Sequence, residues 1–305
     1  MKPYDILVAG EINPDLVLTG DVTPAFGQAE KLVDSASFSI GSSSAIFACG
    51  AARLGLQVGF IGVCGDDLFG HFMLEEMTRR QVDVAPAIVD ASVSTGMSVI
   101  LSTASDRAIL THVGSMNCLR ADQVTNELLA RSRHIHVASY FLQSALQPGL
   151  PDLFRRAHAL GLSTSLDPNW DPTGRWSGFD ELLHFVDVFL PNENEALAMT
   201  GSANVELALT RLAQKCPWVA IKLGPRGAIA GQRAAKASSP ALKVNVVDTT
   251  GAGDSFDGGF LYGYLHDWSL ERALKLGAAC GSLSTRTAGG TTAQTTLEEA
   301  MQYVD

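Results

Sequence analysis

Along most of the chain, short apolar runs alternate with longer stretches in which apolar residues recur every three or four positions. YDILVAG is followed by helical spacing over residues 44–54, and VGFIGVCG by helical spacing over residues 68–80. The alternation resumes with HIHVAS, a helix over 150–159, LSTSLD, VDVFLPN, a helix over 193–199 and WVAIKLG. Strand-length and helix-length segments in this order predict an α/β fold, a mostly parallel central sheet flanked by helices. Near-continuous apolar strands such as VDVFL fit positions covered on both faces. The last third adds a glycine-rich turn and helices over 252–265, 270–284 and 297–303.

Two stretches, residues 12–39 and 87–113, depart from this rhythm. Their strand-like runs DLVLTG, KLVDSASFSI, MSVILSTA and AILTHVG follow one another with no helix between them. They predict a small antiparallel β-sheet inserted into the α/β body. At the carboxyl ends of parallel strands, where open α/β sheets bind ligands, such a sheet is placed to act as a lid. No long linker interrupts residues 1–305, which are read as a single domain carrying that lid.

Composition narrows the function. Apolar residues make up 46% and charged residues 18% of the 305, which suits a well-buried core rather than a disordered chain. With 22 Lys and Arg against 32 Asp and Glu the net charge is −10, so nucleic acid and anionic membranes are excluded as primary partners. Asp5, Glu11 and Asp15 fall where a signal peptide needs its apolar stretch, and no apolar run approaches the roughly 20 residues of a membrane span. A cytoplasmic protein is expected. The five cysteines are widely spaced without a C-x-x-C pair and read as reduced, small apolar residues.

The segment most suggestive of chemistry is VVDTTGAGDSFDGGFLYGYL, residues 246–265. An apolar strand ends at Asp248, and a turn rich in Thr and Gly opens directly into a helix. Gly251, Ala252 and Gly253 can bring backbone N–H donors close to an anion, where the helix N-terminus adds partial positive charge. A carboxylate at the same spot, Asp254, is repulsive to an anion unless it serves as a proton acceptor beside a transferring phosphoryl group. Read alone, Asp254 is equally a helix cap and the glycines a tight turn. The chain lacks G-x-x-x-x-G-K-[ST], and GAGDSF lacks the third glycine of a dinucleotide fingerprint.

DTTGAGDSFDGGF, residues 248–260, resembles the C-terminal signature of the ribokinase-like carbohydrate and purine kinases, the PfkB family. GSSSAIFACGAARLG and FIGVCGDDLFG resemble its N-terminal signature, and PNENEALAMTG and KLGPRGA follow in the family's order. The resemblance implies a ribokinase-like fold with a β-sheet lid and ATP-dependent phosphorylation of a sugar hydroxyl. It implies Asp254 as catalytic base and Gly251, Ala252 and Gly253 as the anion hole. Asn192 and Glu195 match an N-x-x-E pattern that organises Mg²⁺, largely through water; by themselves they also fit an N-cap and an exposed first-turn acid. Lys222, Gly224 and Gly227 match the nucleotide-binding turn, which without the family is a plain hairpin or strand-end turn. Asp248 and Thr250 correspond to positions that hold a monovalent cation, K⁺, in some members.

On the acceptor side the resemblance implies Asn13, Asp15, Gly41 and Ser42 as substrate contacts, with Gln143 near a further one. Two departures stand out: Ser42 replaces the second glycine of a di-glycine pair, and Ile46 replaces a sugar-contacting Asn. SLDPNWDPTGRW is similar to a motif of fructokinases and 2-keto-3-deoxygluconate kinases, with Trp170 and Asp171 where Arg is usual. His134 and His136 lack a third ligand nearby and read as core residues. The expected acceptor is a neutral ketohexose or pentose, with a nucleoside, a 2-keto-3-deoxy sugar acid or a non-catalytic sugar-binding role as alternatives. Exposed lid edges point to a homodimer through the lid sheet.

Overall fold

The computed structural model describes residues 2–103, 106–176 and 178–304, with Asp180 described by its backbone alone. Ala104 and Ser105 of the expected lid span 87–113, and Met1, Ser177 and Asp305 of the expected 1–305 domain, lie outside the described residues.

Nine strands form the main sheet. Tyr4–Ala9 lies inside the sheet, with Val58–Ile61 and Val82–Asp83 on one side and Ser132–Val137, Ser163–Leu166, Val188–Phe189 and Trp218–Lys222 on the other, all paired in parallel. Ala228–Gln232 and Ala235–Ser239 close the far edge as an antiparallel hairpin. Apolar clusters cover both faces, as the continuous strand hydrophobicity requires: Phe47, Phe256 and Phe260 lie on one side, and Leu153, Phe154 and Phe189 on the other.

The helices Ser43–Arg53, Leu68–Arg79, Leu150–Ala159, Glu193–Thr200, Ala252–Leu265 and Leu270–Ser284 fall within a residue or two of the spacing-based reading. A helix at Val205–Leu212 and the last edge strand Ala235–Ser239 were not expected, while the turn at 222–227 joins two antiparallel strands as a hairpin. The hairpin strand AIAGQ is small and weakly β-branched, so its sequence carries little strand signal.

A second, four-stranded sheet is ordered Ser35–Ile40, Pro14–Thr19, Met97–Ser102, Arg107–His112. Its central pair is parallel, not antiparallel as expected, because the chain crosses a whole helix-and-strand unit between them. Ile88–Val89 belongs to a separate two-stranded ribbon with Val63–Cys64. Among the described residues no helix is long and apolar enough to cross a membrane. The five cysteines are free, and four of them are buried.

Candidate active site

Polar groups converge at the carboxyl ends of the parallel strands. The first strand ends one residue before Gly10, and Glu11 is 2% exposed. Its carboxylate accepts from Ser42 Oγ at 3.1 Å, Ser44 N at 3.3 Å, Ser44 Oγ at 2.5 Å and Ser139 Oγ at 2.9 Å. Such a buried charge is tolerable because several donors surround it. Asn169 extends the network: its side chain accepts from Ser139 N at 2.7 Å and donates to Ser43 Oγ at 3.1 Å.

Three residues of this network, Ser42 (φ 65), Ser139 (φ 51) and Asn169 (φ 53), take positive φ without being glycine. Each such conformation costs on the order of 1–3 kcal/mol and concentrates where geometry matters more than stability. Ser42 occupies the position where sequence comparison expects a second glycine, and it adopts the glycine-like φ. Its hydroxyl also caps helix Ser43–Arg53 by accepting from Ala45 N at 3.0 Å. The neighbouring Gly41 is fixed by close approach, since a Cβ there would stand 2.2 Å from Asp15 Oδ1.

Asn13 and Asp15 stand at the start of the small sheet, both buried, with Asn13 Nδ2 donating to Asp15 Oδ1 at 3.4 Å and Asn13 Oδ1 left without a partner. Burial pushes the Asp15 carboxyl up to about 7, helped by Asp248 and Glu11 and opposed by Arg107. Arg107 reaches across from the small sheet to Thr250 Oγ1 at 3.3 Å. Gln143 is buried just past the short helical turn Tyr140–Leu142 that follows strand Ser132–Val137, donating to Ala138 O at 2.6 Å with Oε1 unpaired among the described residues. No described hydrogen bond joins it to the Asn13–Asp15–Gly41–Ser42 group.

The glycine-rich turn is held from behind. Asp248 accepts from Thr250 N at 2.9 Å, Thr250 Oγ1 at 2.8 Å and Gly289 N at 2.9 Å, and these bonds keep its carboxyl below the usual range although burial works against them. Gly251 takes φ 71 as the N-cap of helix Ala252–Leu265, which has no side-chain cap. The N–H groups of Gly251 and Gly253 make no hydrogen bond among the described residues, so they remain available to an anion. The N–H of Ala252, the remaining residue of the expected trio, donates to Thr249 O at 3.2 Å.

Asp254 lies in the first turn of this helix with its side chain buried. Its carboxyl is raised well above the usual range by burial, with Asp167 and Glu11 adding to the shift and Lys222 and a Ser43 bond opposing it. Ligand oxygens of Asp167, Asp254 and Asp257 lie within 4.8 Å of one another. Lys222 Nζ stands 2.7 Å from Asp167 Oδ2 and 3.2 and 3.1 Å from the two oxygens of Asp257. An ammonium already supplies the positive charge there, so the cluster is not read as a metal centre. Lys222, expected beside the nucleotide, is therefore committed to buried carboxylates and lies 3.5 Å from the Cβ position of Gly253.

Asn192 and Glu195 form a capping box on helix Glu193–Thr200, Asn192 Oδ1 accepting from Glu195 N at 3.0 Å and Glu195 Oε2 from Asn192 N at 2.8 Å. Glu195 is nevertheless 3% exposed, unlike an ordinary first-turn acid. Burial and Asp167 push its carboxyl up to about 7, against Lys222. Asn192 and Lys222 bridge adjacent strand ends, which brings this pair beside the carboxylate cluster. Gly224 (φ 58) and Gly227 (φ 92) shape the turn beyond Lys222; a Cβ at Gly227 would stand 2.0 Å from Ser239 O.

Sequence reasoning did not select Glu11, Asp167 or Asp257. Signals were available: Asp167 continues the face of Ser163 and Ser165 past a strand end, and Asp257 lies one helical turn beyond Asp254. Ile46 is 3% exposed and packed in the core under the Gly251 turn, which accounts for an apolar residue there. Asp171 closes a turn, accepting from Thr173 N at 2.7 Å and Trp176 N at 2.8 Å. His134 and His136 are fully buried, bonded to Ser163 and Ser165.

Comparison with known proteins identifies the family. Residues 4–297 match the family model described as pfkB family carbohydrate kinase. The chain is similar to the ribokinase of Haemophilus influenzae, 27% identical with 98% of each chain covered. It is also similar to a fructokinase of Klebsiella pneumoniae, 31% identical over 83% of this chain and 88% of that one. A putative ribokinase II from E. coli, solved with ATP and Mg²⁺, shares the fold with a TM-score of 0.87 at 24% identity and 98% coverage of both chains.

Proposed function

The chain belongs to the pfkB family of carbohydrate kinases, and from that premise we propose that it phosphorylates a neutral, unphosphorylated sugar hydroxyl with Asp254 as the proton acceptor. The reaction class is ATP-dependent phosphotransfer to an alcohol, with Mg²⁺ as the accompanying ion. The observation that carries the residue assignment is the buried Asp254 carboxyl at a helix N-terminus whose Gly251 and Gly253 amides are unused. A base and an anion cradle on one turn are what in-line phosphoryl transfer needs, because the reaction asks for positioning and charge neutralisation more than for covalent chemistry.

In this reading Asp254 accepts the hydroxyl proton, and the two amides face the charge that develops on the transferring group. The turn beyond Lys222, with Gly224 and Gly227, borders the nucleotide. Glu195, a buried carboxylate oriented by Asn192, fits a magnesium ion held through water, a hard cation that keeps much of its hydration. When bound, the ion neutralises phosphate oxygens. Asp248 and Thr250 offer oxygen ligands for K⁺, where the cation would compete with the Arg107 guanidinium at Thr250.

The acceptor assignment rests on charge. Glu11, Asp15, Asp248 and Asp254 surround the floor, and Arg107 already faces Asp15, Asp248 and Thr250. A sugar phosphate needs convergent Arg or Lys, whereas hydroxyl groups donate readily to the carboxylate and amide oxygens of Asp15 and Asn13. Such a kinase works in the cytoplasm, where ATP is at hand. The small sheet is proposed as lid and as dimer contact: its edge strand Arg107–His112 is exposed along its whole length, including Ile109 and Leu110, and the mass in solution by light scattering tests this. For the acceptor, D-ribose, D-fructose and adenosine are compared with their monophosphates at equal Mg-ATP. Turnover of the unphosphorylated forms is expected; preference for a phosphorylated acceptor overturns the reading.

A further inference from the structure

Glu11, just past the first strand, is buried with its hydrogen-bonding capacity taken up. Oε1 accepts from Ser44 N at 3.3 Å and Ser139 Oγ at 2.9 Å, and Oε2 from Ser44 Oγ at 2.5 Å. Ser42 Oγ donates to the backbone oxygen of Glu11 at 2.7 Å, with the carboxylate as its second acceptor at 3.1 Å. Ser139 N donates onward to Asn169 Oδ1 at 2.7 Å. One side chain therefore joins the ends of three neighbouring parallel strands to the start of helix Ser43–Arg53. Gly10 permits the approach, since a Cβ there would stand 2.0 Å from Ser44 Oγ.

These bonds hold backbone that is unfavourable by itself. The φ angles of Ser42, Ser139 and Asn169 are 65, 51 and 53, which residues with a side chain seldom adopt unless their surroundings fix them. The N–H of Ser42 makes no hydrogen bond among the described residues. Ser139 turns the chain into Tyr140–Leu142, which ends at the buried Gln143 with its unpaired Oε1. From the other side Gly41 N donates to Asn13 O at 3.2 Å, and Asn13 Oδ1 is also buried without a partner among the described residues. Buried polar atoms without partners are rare and mark places where a polar ligand completes the bonding. Around Glu11 itself the oxygens are already used, so it supports that place without facing it.

We propose that Glu11 is a positioning residue for the acceptor: by anchoring Ser42 and Ser139 in their left-handed conformations it fixes the Ser42 N–H and the Gln143 side chain for a sugar that it does not touch. This role rests on the acceptor site of the kinase reading above. It also accounts for serine at position 42. Glycine takes φ 65 unaided, whereas serine is held there through the hydroxyl that glycine lacks. A carboxylate suits the place because it only accepts, and the groups around it are hydroxyls and a backbone N–H. The N-terminus of helix Ser43–Arg53 adds partial positive charge beside it.

The test compares Glu11→Ala with Glu11→Gln at pH 8, where Asp15 is largely ionised, using the acceptor that the wild type prefers among D-ribose, D-fructose, adenosine and their monophosphates. Glu11→Ala should raise the acceptor KM about tenfold or more and leave the Mg-ATP KM within about twofold. Glu11→Gln keeps the shape and an accepting oxygen, and both its KM values should stay within about threefold of wild type. In a Ser42→Gly background the Glu11→Ala exchange should raise the acceptor KM no more than about threefold, because glycine needs no anchor there. Without any ligand, hydrogen exchange at the amides of residues 41–46 and 138–143 should quicken in Glu11→Ala and not in Glu11→Gln. An unmoved acceptor KM in folded Glu11→Ala, a parallel rise in both KM values, an equal loss in Glu11→Gln or an equal loss in the Ser42→Gly background overturns the proposal. Should Glu11→Ala fail to fold, Ser139→Ala decides in its place, since it removes the donor at 2.9 Å: the acceptor KM should rise about threefold or more with ATP unaffected, and an unmoved value overturns the role. Failure of the neutral-sugar reading shows separately, in the wild type, as preference for a phosphorylated acceptor.

Discussion

Gly251 and Ile46 are in mutual steric contact: a Cβ added to Gly251 would stand 2.8 Å from Ile46 Cγ2 and 2.9 Å from the Cα of Gly290. The turn at 251–253 thus rests on a core side chain of helix Ser43–Arg53. Gly253 differs, because the atoms nearest its Cβ would be those of the Lys222 side chain, at an ordinary contact distance of 3.5 Å. Gly251→Ala should cost about 1–3 kcal/mol through overpacking and the φ of 71, while Gly253→Ala should cost well under half of that. Thermal melts of the two variants check this. Pairing Gly251→Ala with Ile46→Ala should recover part of the loss, and strict additivity would refute the contact.

Asp15 should make sugar affinity depend on pH. Its carboxyl lies at about 7, and the ionised form is the better acceptor for sugar hydroxyls. Between pH 6 and 8 the ionised fraction rises about tenfold, so the sugar KM at saturating Mg-ATP should fall by a comparable factor. Asp15→Asn should flatten that dependence, which also separates it from Glu195, whose carboxyl titrates in the same range. A wild-type KM indifferent to pH would remove Asp15 from the acceptor contacts.

The buried histidines should make the fold acid-sensitive. Burial pushes His136 down to about 3 and holds His134 well below its usual value. A group neutral in the fold and more basic in the unfolded chain contributes stability that is present above pH 6.5 and lost as the pH falls below it. His136 stacks on Phe47 with ring centroids 3.8 Å apart, and its Nε2 has no partner. His136→Phe should therefore leave stability at pH 8 within about 1–2 kcal/mol of wild type and reduce the loss between pH 6.5 and 5. Denaturant melts at the three pH values measure it; an unchanged acid slope contradicts the account.

The alternation of apolar strands and amphipathic helices placed most of the α/β body, because strands buried on both faces must be continuously apolar. It missed the last edge strand, Ala235–Ser239, whose Ala and Ser residues carry no β-type pattern, and the parallel pairing inside the small sheet, which depends on chain crossover and not on local sequence. In the site, the contiguous turn at 248–254 was legible. Asp167, Asp257 and Glu11 were not, because their meaning lies in three-dimensional proximity to Lys222, Asp254 and the serines of a neighbouring helix. Glu195 shows the same limit: the capping pattern is visible in sequence, but its burial is not.

The role of Asp254 is tested most directly by turnover of the wild type and Asp254→Asn on one accepted neutral sugar, with ADP release followed at saturating Mg-ATP. The exchange removes the proton acceptor and keeps the shape of the side chain. Turnover should fall by roughly 10² to 10⁴ while ATP affinity, measured by calorimetry, stays within about twofold. Equal turnover of the two proteins would contradict a base at Asp254 and, with it, the assignment of the 251–254 turn as the site of phosphoryl transfer.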